Sequence, residues 1–318
     1  MYYRHIRGLL GVGLAALAFL GCSRSEEGSQ SQPQTTTIRV EGSDTMVNLA
    51  QAWAEEYQKK HPEASIQVNG GGSGVGIASL IDGNCDLANA SREIEPKEVS
   101  RLKGKRGAEA KTYVVGYDAL AIYVHKANPL DSISVDELAE IYGEGGKIVN
   151  WSQVGAKIAG NDEIVRVSRQ NSSGTYVYFR EHILGKGKDY KLGSIDQSGS
   201  KDVVALVSRT PNAIGYSGMG YATPEVKMLK VAKHKGEPGV EPTVANAKKG
   251  SYPITRSLMV YSAGEPSGPV KEYLQWIMSP EGQKVVVELG YVPAESRAES
   301  RESRVEGEEA RATSGKGI

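Results

Sequence analysis

Thr36-Thr37-Ile38-Arg39-Val40-Glu41-Gly42-Ser43-Asp44-Thr45 begins a run whose order of elements decides the fold. Residues 36–40 read as a strand, and Gly42-Ser43-Asp44-Thr45 follows as turn and helix-start chemistry. Met46, Leu49, Trp53 and Tyr57 then recur at helical spacing until His61-Pro62 stops the pattern. Ser65-Ile66-Gln67-Val68 is the next strand, and Asn69-Gly70-Gly71-Gly72-Ser73-Gly74-Val75-Gly76 is the loop after it. A second helix carries Ile77, Leu80 and Ile81, and Asp86-Leu87-Ala88-Asn89-Ala90 returns as a strand. Strand, helix, strand, helix, strand predicts a parallel sheet with right-handed crossovers.

The pattern repeats further along. Tyr113-Val114-Val115 through Ala119-Leu120-Ala121-Ile122-Tyr123-Val124 is a long β-prone stretch. After Asn128-Pro129, Ser134-Val135-Asp136-Glu137 forms a capping box for a helix with Leu138, Ile141 and Tyr142 on one face. Glu163-Ile164-Val165-Arg166-Val167-Ser168 reads as a strand, and Thr175-Tyr176-Val177-Tyr178-Phe179 opens a helix. A helix over 200–209, the strand Ala213-Ile214-Gly215-Tyr216, an extended run over 254–261 and helices near 270–278 and 283–289 complete the chain. The expected architecture is α/β with two lobes, each a mostly parallel sheet flanked by helices, joined by two crossing strands. Lobe 1 is expected at 36–122 plus 255–293 and lobe 2 at 123–254.

The ends read differently. Residues 1–21 hold a basic start (Arg4, His5, Arg7) and an apolar run too short to span a bilayer, the composition of a secretory signal peptide. Leu17-Ala18-Phe19-Leu20-Gly21-Cys22 resembles the bacterial lipobox, which implies lipidation at Cys22. Residues 22–35 are Ser, Gln, Glu and Thr rich, a flexible tether behind that anchor. Residues 294–318 are Glu, Arg, Ser and Gly rich and read as a disordered charged tail. The chain is therefore expected to be exported and held on a bacterial membrane by lipid, facing the periplasm or the cell exterior.

Lys plus Arg equals Asp plus Glu at 38 each, so no global field favours nucleic acid. With Cys22 lipidated, the second of the 2 cysteines, Cys85, is left as a small buried apolar group. The 5 histidines are scattered, and no Cys/His spacing of the metal-binding kind occurs, so neither metal nor cofactor is expected.

Three strand-to-helix junctions carry one polar kit: Gly42-Ser43-Asp44-Thr45, Gly72-Ser73-Gly74 and Ser173-Gly174-Thr175. Each offers hydroxyls and unhindered backbone N–H groups at a helix start, the chemistry of an anion seat for phosphate or sulfate. The same residue types also cap helices. Arg169, at the end of its strand, brings a guanidinium fork to the third junction. Enzyme motifs fail beside these. Residues 70–76 do not satisfy G-x-G-x-x-G, no Gly-Lys pair precedes Ser or Thr, and G-x-S-x-G breaks at Val75. Ser198-Gly199-Ser200-Lys201 matches S-x-x-K, but its S-D-N and K-T-G companions are absent. No catalytic residue is assigned.

Gly70-Gly71-Gly72-Ser73-Gly74-Val75-Gly76-Ile77, Ala90-Ser91-Arg92-Glu93-Ile94, Ile148-Val149-Asn150-Trp151-Ser152 and the 169–175 run resemble the periplasmic phosphate-binding proteins of ABC transporters. Asn212-Ala213-Ile214-Gly215-Tyr216 and Ser279-Pro280-Glu281-Gly282-Gln283 extend the likeness over 38–293. The resemblance implies a two-lobed type II binding protein, a monomer that closes over inorganic phosphate and passes it to membrane permease subunits without catalysis. Carried over residue by residue, it implies a site of Ser43, Thr45, Ser73, Ser91, Arg169, Ser173, Gly174 and Thr175.

One departure bears on selectivity. Well-known members place an acidic residue directly after the third-loop serine, where this chain has Arg92. A buried carboxylate accepts a hydrogen bond from protonated phosphate but meets only lone pairs on sulfate. Asp44 is the candidate replacement, or else caps its helix, with Asp118 in reserve. Arg92 is left to contact phosphate, pair with Asp44 or face water. The alternative ligands are sulfate, molybdate and tungstate, and the other functional class is an exported phosphoester hydrolase using Ser43 or Ser173.

Overall fold

The computed structural model describes residues 35–294 except position 159. The signal segment 1–21, Cys22 and its tether (all but Thr35) and the tail beyond Ala294 lie outside the described residues. The elements run β1 (Thr36–Gly42), α1 (Val47–Lys60), β2 (Ala64–Asn69), α2 (Ser73–Asp82), β3 (Leu87–Ala90) and α3 (Pro96–Arg106). The long strand β4 (Ala110–His125) leads to β5 (Ser132–Ser134), α4 (Val135–Tyr142), β6 (Val165–Arg169) and α5 (Gly174–Phe179), which continues as a wider turn over Arg180–Leu184. Then come β7 (Ile195–Gln197), α6 (Ser200–Ser208), β8 (Ala213–Gly218), β9 (Val226–Met228), β10 (Lys230–Ala232) and α7 (Val244–Lys248). The chain returns through β11 (Thr255–Ala263), α8 (Gly268–Ile277), α9 (Pro280–Glu288) and β12 (Val292–Pro293).

One sheet runs through both lobes in the order β2-β1-β3-β11-β4-β8-β6-β7. It is parallel at both ends, where β1 pairs with β2 and β3 and β6 pairs with β7 and β8. It is antiparallel in the middle, where β11 and β4 lie side by side. Those are the two crossing strands. β4 pairs with β11 over its first part and with β8 over residues 120–124. The two-lobed α/β fold expected from the sequence is the fold observed.

Burial follows the periodicities. Leu49, Trp53 and Tyr57 of α1 face the core with Ile38 and Val40 of β1, and Trp53 Nε1 donates to the Gly282 carbonyl at 2.7 Å. The capping box of α4 is formed: Glu137 N donates to Ser134 Oγ at 3.2 Å, and Ser134 N donates to Glu137 Oε2 at 3.0 Å. Val115 and Leu258 pack with the β1–α1 core, whereas Ala119 and Ile254 pack with the core around Tyr142, Phe179 and Tyr216. The packing therefore passes from one core to the other within a few residues along β4, and at the second crossing between Ile254, just before β11, and Leu258.

Contacts among Ser43, Ser73, Ser91, Thr45 and Thr175 bring four of the loops that follow strands to one cleft. The loops after β1, β2 and β3 come from one side and the loop after β6 from the other, at the carboxyl ends where open α/β sheets hold their ligands.

Candidate functional site

Ser43, Thr45, Ser73, Ser91, Arg169, Ser173 and Thr175 are all buried, and their hydroxyls are brought together. Ser43 Oγ donates to Ser91 Oγ at 2.9 Å, and Ser73 Oγ lies 3.4 Å from Ser91 Oγ. Across the cleft, Thr45 Oγ1 lies 3.0 Å from Thr175 Oγ1. Gly174 is required by this convergence: a Cβ there would fall inside contact distance of Ser73 Oγ and within 2.7 Å of Ser91 Oγ.

Ser173 does two things at once. Its Oγ caps α5 by accepting from Thr175 N at 3.1 Å and Tyr176 N at 3.4 Å, leaving its own O–H to donate. Those two N–H groups are thus engaged by the cap, and the groups that converge beside them are chiefly hydroxyls.

Arg169 is 0% exposed and its fork is held by its own lobe. It donates to Gln197 O at 3.3 Å, Ser198 O at 2.8 Å and Ser200 Oγ at 3.2 Å. One further donor reaches across the cleft to Asp44 Oδ2 at 2.8 Å. Burial pulls its pKa down, and the charge of Asp44 opposes that. The other Asp44 oxygen accepts from Gly71 N at 2.9 Å.

A residue missed by the sequence reading sits at the centre. Arg256, on β11 and 4% exposed, donates from Nη1 to Thr175 Oγ1 at 3.0 Å and from Nη2 to Thr45 Oγ1 at 3.1 Å. It also donates from Nη2 and Nε to Asp118 Oδ2, at 2.9 and 3.1 Å. The strand register places Arg256 directly opposite Asp118. Asp118 is fully buried, and its Oδ1 has no hydrogen-bond partner of normal geometry among the described residues. Burial pushes the Asp118 carboxyl up, against the pull of the Arg256 charge and hydrogen bonds and of the Met219 N–H. The available signal was an arginine inside the extended run 254–261, whose remaining residues carry no charge. A charge there needs a buried partner or a ligand.

Arg92 is neither paired with Asp44 nor turned to water. It makes a fork-to-fork pair with Glu98 on α3, Nη1 to Oε2 at 2.8 Å and Nη2 to Oε1 at 2.7 Å, and is 8% exposed. Cys85 is a free, buried thiol whose pKa burial pushes up to about 11, an inert setting. Among the described residues, no group of His, Cys, Asp and Glu is arranged to hold a metal ion. No described helix is long and apolar enough to cross a membrane.

The sequence profile of the PBP superfamily domain matches residues 27–281. The phosphate-binding protein PstS of Pseudomonas aeruginosa is 37% identical over 263 residues, spanning 79% of this chain and 81% of the relative. This chain belongs to the periplasmic phosphate-binding protein family. A second member, the phosphate-binding protein PstS of Bacillus subtilis, is 31% identical over 88% of each chain. A Clostridium perfringens protein, assigned as the substrate-binding protein of a phosphate ABC transporter and solved with phosphate bound, aligns with a TM-score of 0.73. It is 30% identical, and the alignment covers 82% of this chain and 100% of that one.

Proposed function

We propose that this chain binds inorganic phosphate outside the cytoplasmic membrane and delivers it to an ABC importer. The observation that carries the reading is the convergence of buried hydroxyls from four loops around buried Arg256, with buried Arg169 tied to the same loops through Asp44, in a member of this family. Ser43, Thr45, Ser73, Ser91, Ser173 and Thr175 supply hydroxyl donors, Gly174 gives them room, and Arg169 and Arg256 supply charge. Each arginine already has a carboxylate partner, Asp44 or Asp118, so the seat is close to neutral in sum. It attracts an anion through aligned dipoles and shared guanidinium protons, which a water-poor cleft strengthens.

The lobes at 36–122 plus 255–293 and at 123–254 close on the anion as a monomer, without catalysis. Of the two carboxylates weighed from the sequence as acceptor for the phosphate proton, Asp118 is the better supported, because its Oδ1 has no hydrogen-bond partner of normal geometry among the described residues, whereas both Asp44 oxygens are engaged. Lipid on Cys22 and the tether over 22–35 hold the protein on the membrane within reach of permease subunits. Cys22→Ser should move it from the membrane fraction to the soluble one, and an unchanged distribution removes the anchor.

Calorimetry with phosphate, arsenate and sulfate, at two pH values either side of phosphate's second ionisation, tests the ligand. Phosphate and arsenate should bind, with sulfate at least about tenfold weaker. Sulfate bound as tightly as phosphate would overturn the assignment.

A further inference from the structure

Asp44 stands between two loops from opposite lobes. Its Oδ1 accepts from Gly71 N in the glycine-rich loop at 2.9 Å, and its Oδ2 accepts from Arg169 at 2.8 Å. Its backbone carbonyl accepts from Tyr221 Oη of the second lobe at 2.7 Å. Close by, Gly74 N donates to the Ser172 carbonyl at 3.0 Å, a main-chain bond between the same two loops. The neighbouring Thr45, rather than Asp44, turns its side chain toward Arg256 and Thr175. Arg169 is fixed in its own lobe by three acceptors, so its bond to Asp44 is the ionic contact it makes across the cleft.

We infer that Asp44 is a cross-lobe positioning residue, whose carboxylate ties the glycine-rich loop to Arg169 and so sets how long the lobes stay shut on an anion. This rests on the phosphate reading above and differs from the role as proton acceptor suggested by the sequence. An acceptor discriminates between anions. A latch holds any bound anion longer and leaves discrimination alone. Truncating one partner of a hydrogen-bonded charge pair acts mainly on the dissociation rate.

The experiment compares wild type, Asp44→Asn and Gly74→Val. A Cβ at position 74 would lie 3.3 Å from the Ser172 carbonyl oxygen, so the valine wedges the loops apart without altering any charge. Dissociation of radiolabelled inorganic phosphate is followed by chase, and sulfate affinity is measured by competition. Asp44→Asn is expected to release phosphate about 10- to 100-fold faster, with association nearly unchanged and the phosphate-to-sulfate ratio held within about twofold. Gly74→Val is expected to give the same pattern.

A shifted ratio in Asp44→Asn with an unchanged dissociation rate would show that Asp44 meets the anion and overturn the inference. Faster release in Gly74→Val alone would assign closure to the backbone contact and overturn it too. If Asp44→Asn does not fold, Asp44→Glu keeps the charge at a different reach, and a dissociation rate equal to wild type would sink the positional argument. A wild type that binds neither anion overturns the phosphate reading and this inference with it.

Discussion

Arg256 shows what single residues contribute and why some stay hidden in a sequence. Its partners Asp118 and Thr45 are 138 and 211 positions away, so only the sheet register and the returning strand bring them together. The hydroxyl residues after β1, β2 and β6 were legible because each loop follows a strand and leads into a helix, a local pattern, whereas Ser91 came only from the family resemblance. Arg256→Lys keeps the charge but replaces a fork serving two threonines and a carboxylate with a single ammonium. Phosphate affinity should fall by about 1.4–3 kcal/mol, roughly 10- to 150-fold, with the circular dichroism unchanged. Calorimetry at one pH checks this, and an unchanged affinity would remove Arg256 from the anion's contacts. The partner of Arg92 stays hidden for a related reason: the sequence leaves its role open, and only the fold brings it against Glu98 of α3. Burial alone would raise the Glu98 carboxyl, but the Arg92 fork and the Glu95 N–H outweigh it and hold it below the usual range. A depressed folded-state pKa contributes stability above the unfolded value, near 4.3, that is lost as pH falls through the folded value. Glu98→Gln should therefore lower stability at pH 7 by about 3 kcal/mol and flatten the loss that sets in as pH falls below the unfolded value. Urea titrations across that range read both effects, and an acid limb as steep as wild type would show that the pair does not carry it.

Elements with an apolar stripe were readable, and those without one were not. α1 shows Leu49, Trp53 and Tyr57 at helical spacing, and the structure buries all three. α3 has only Leu102 and Glu98 turned inward, so a Lys- and Arg-rich surface hides it from any hydrophobic pattern. The crossing strands were visible as extended runs, but an apolar run cannot say with which core each half packs. The start of α5 combines both kinds of information. Gly174 is its first residue, where alanine suits a helix better than glycine. The reason for glycine lies outside the helix, in the serines packed on it from the other lobe. Gly174→Ala should leave the melting temperature of the ligand-free protein unchanged or slightly higher. Phosphate affinity should fall by more than about tenfold as Ser73 and Ser91 are displaced. A loss of stability without loss of affinity would mean that the glycine serves the helix and not the seat.

At the scale of the whole molecule, one sheet with two cores fixes where motion can occur. The parallel ends are each locked into their own core, and the lobes are joined by β4, β11, Val292 of β12 and the loop contacts across the cleft. Those contacts include Gly74 N with the Ser172 carbonyl, Asp44 with Arg169, and Tyr221 Oη with the Asp44 and Thr45 carbonyls. A ligand that binds the shut form better than the open one can only shift the balance by that difference in affinity. The shift should appear as slower hydrogen exchange at amides that depend on closure and nowhere else. Gly74 N, which donates across the cleft, and Gly71 N, which donates to Asp44, should gain protection when phosphate is added, as should peptides around 172–176. Amides in the β1–β2 ladder should gain protection only through the global stabilisation that ligand binding confers, about 2.7 kcal/mol at a hundredfold excess over Kd. Exchange measured by mass spectrometry under conditions where local opening dominates separates the two groups. Equal protection in the ladder and at the cleft would mean that the lobes do not open as bodies about β4 and β11. The anion would then enter a preformed seat through local fluctuation of the glycine-rich loop.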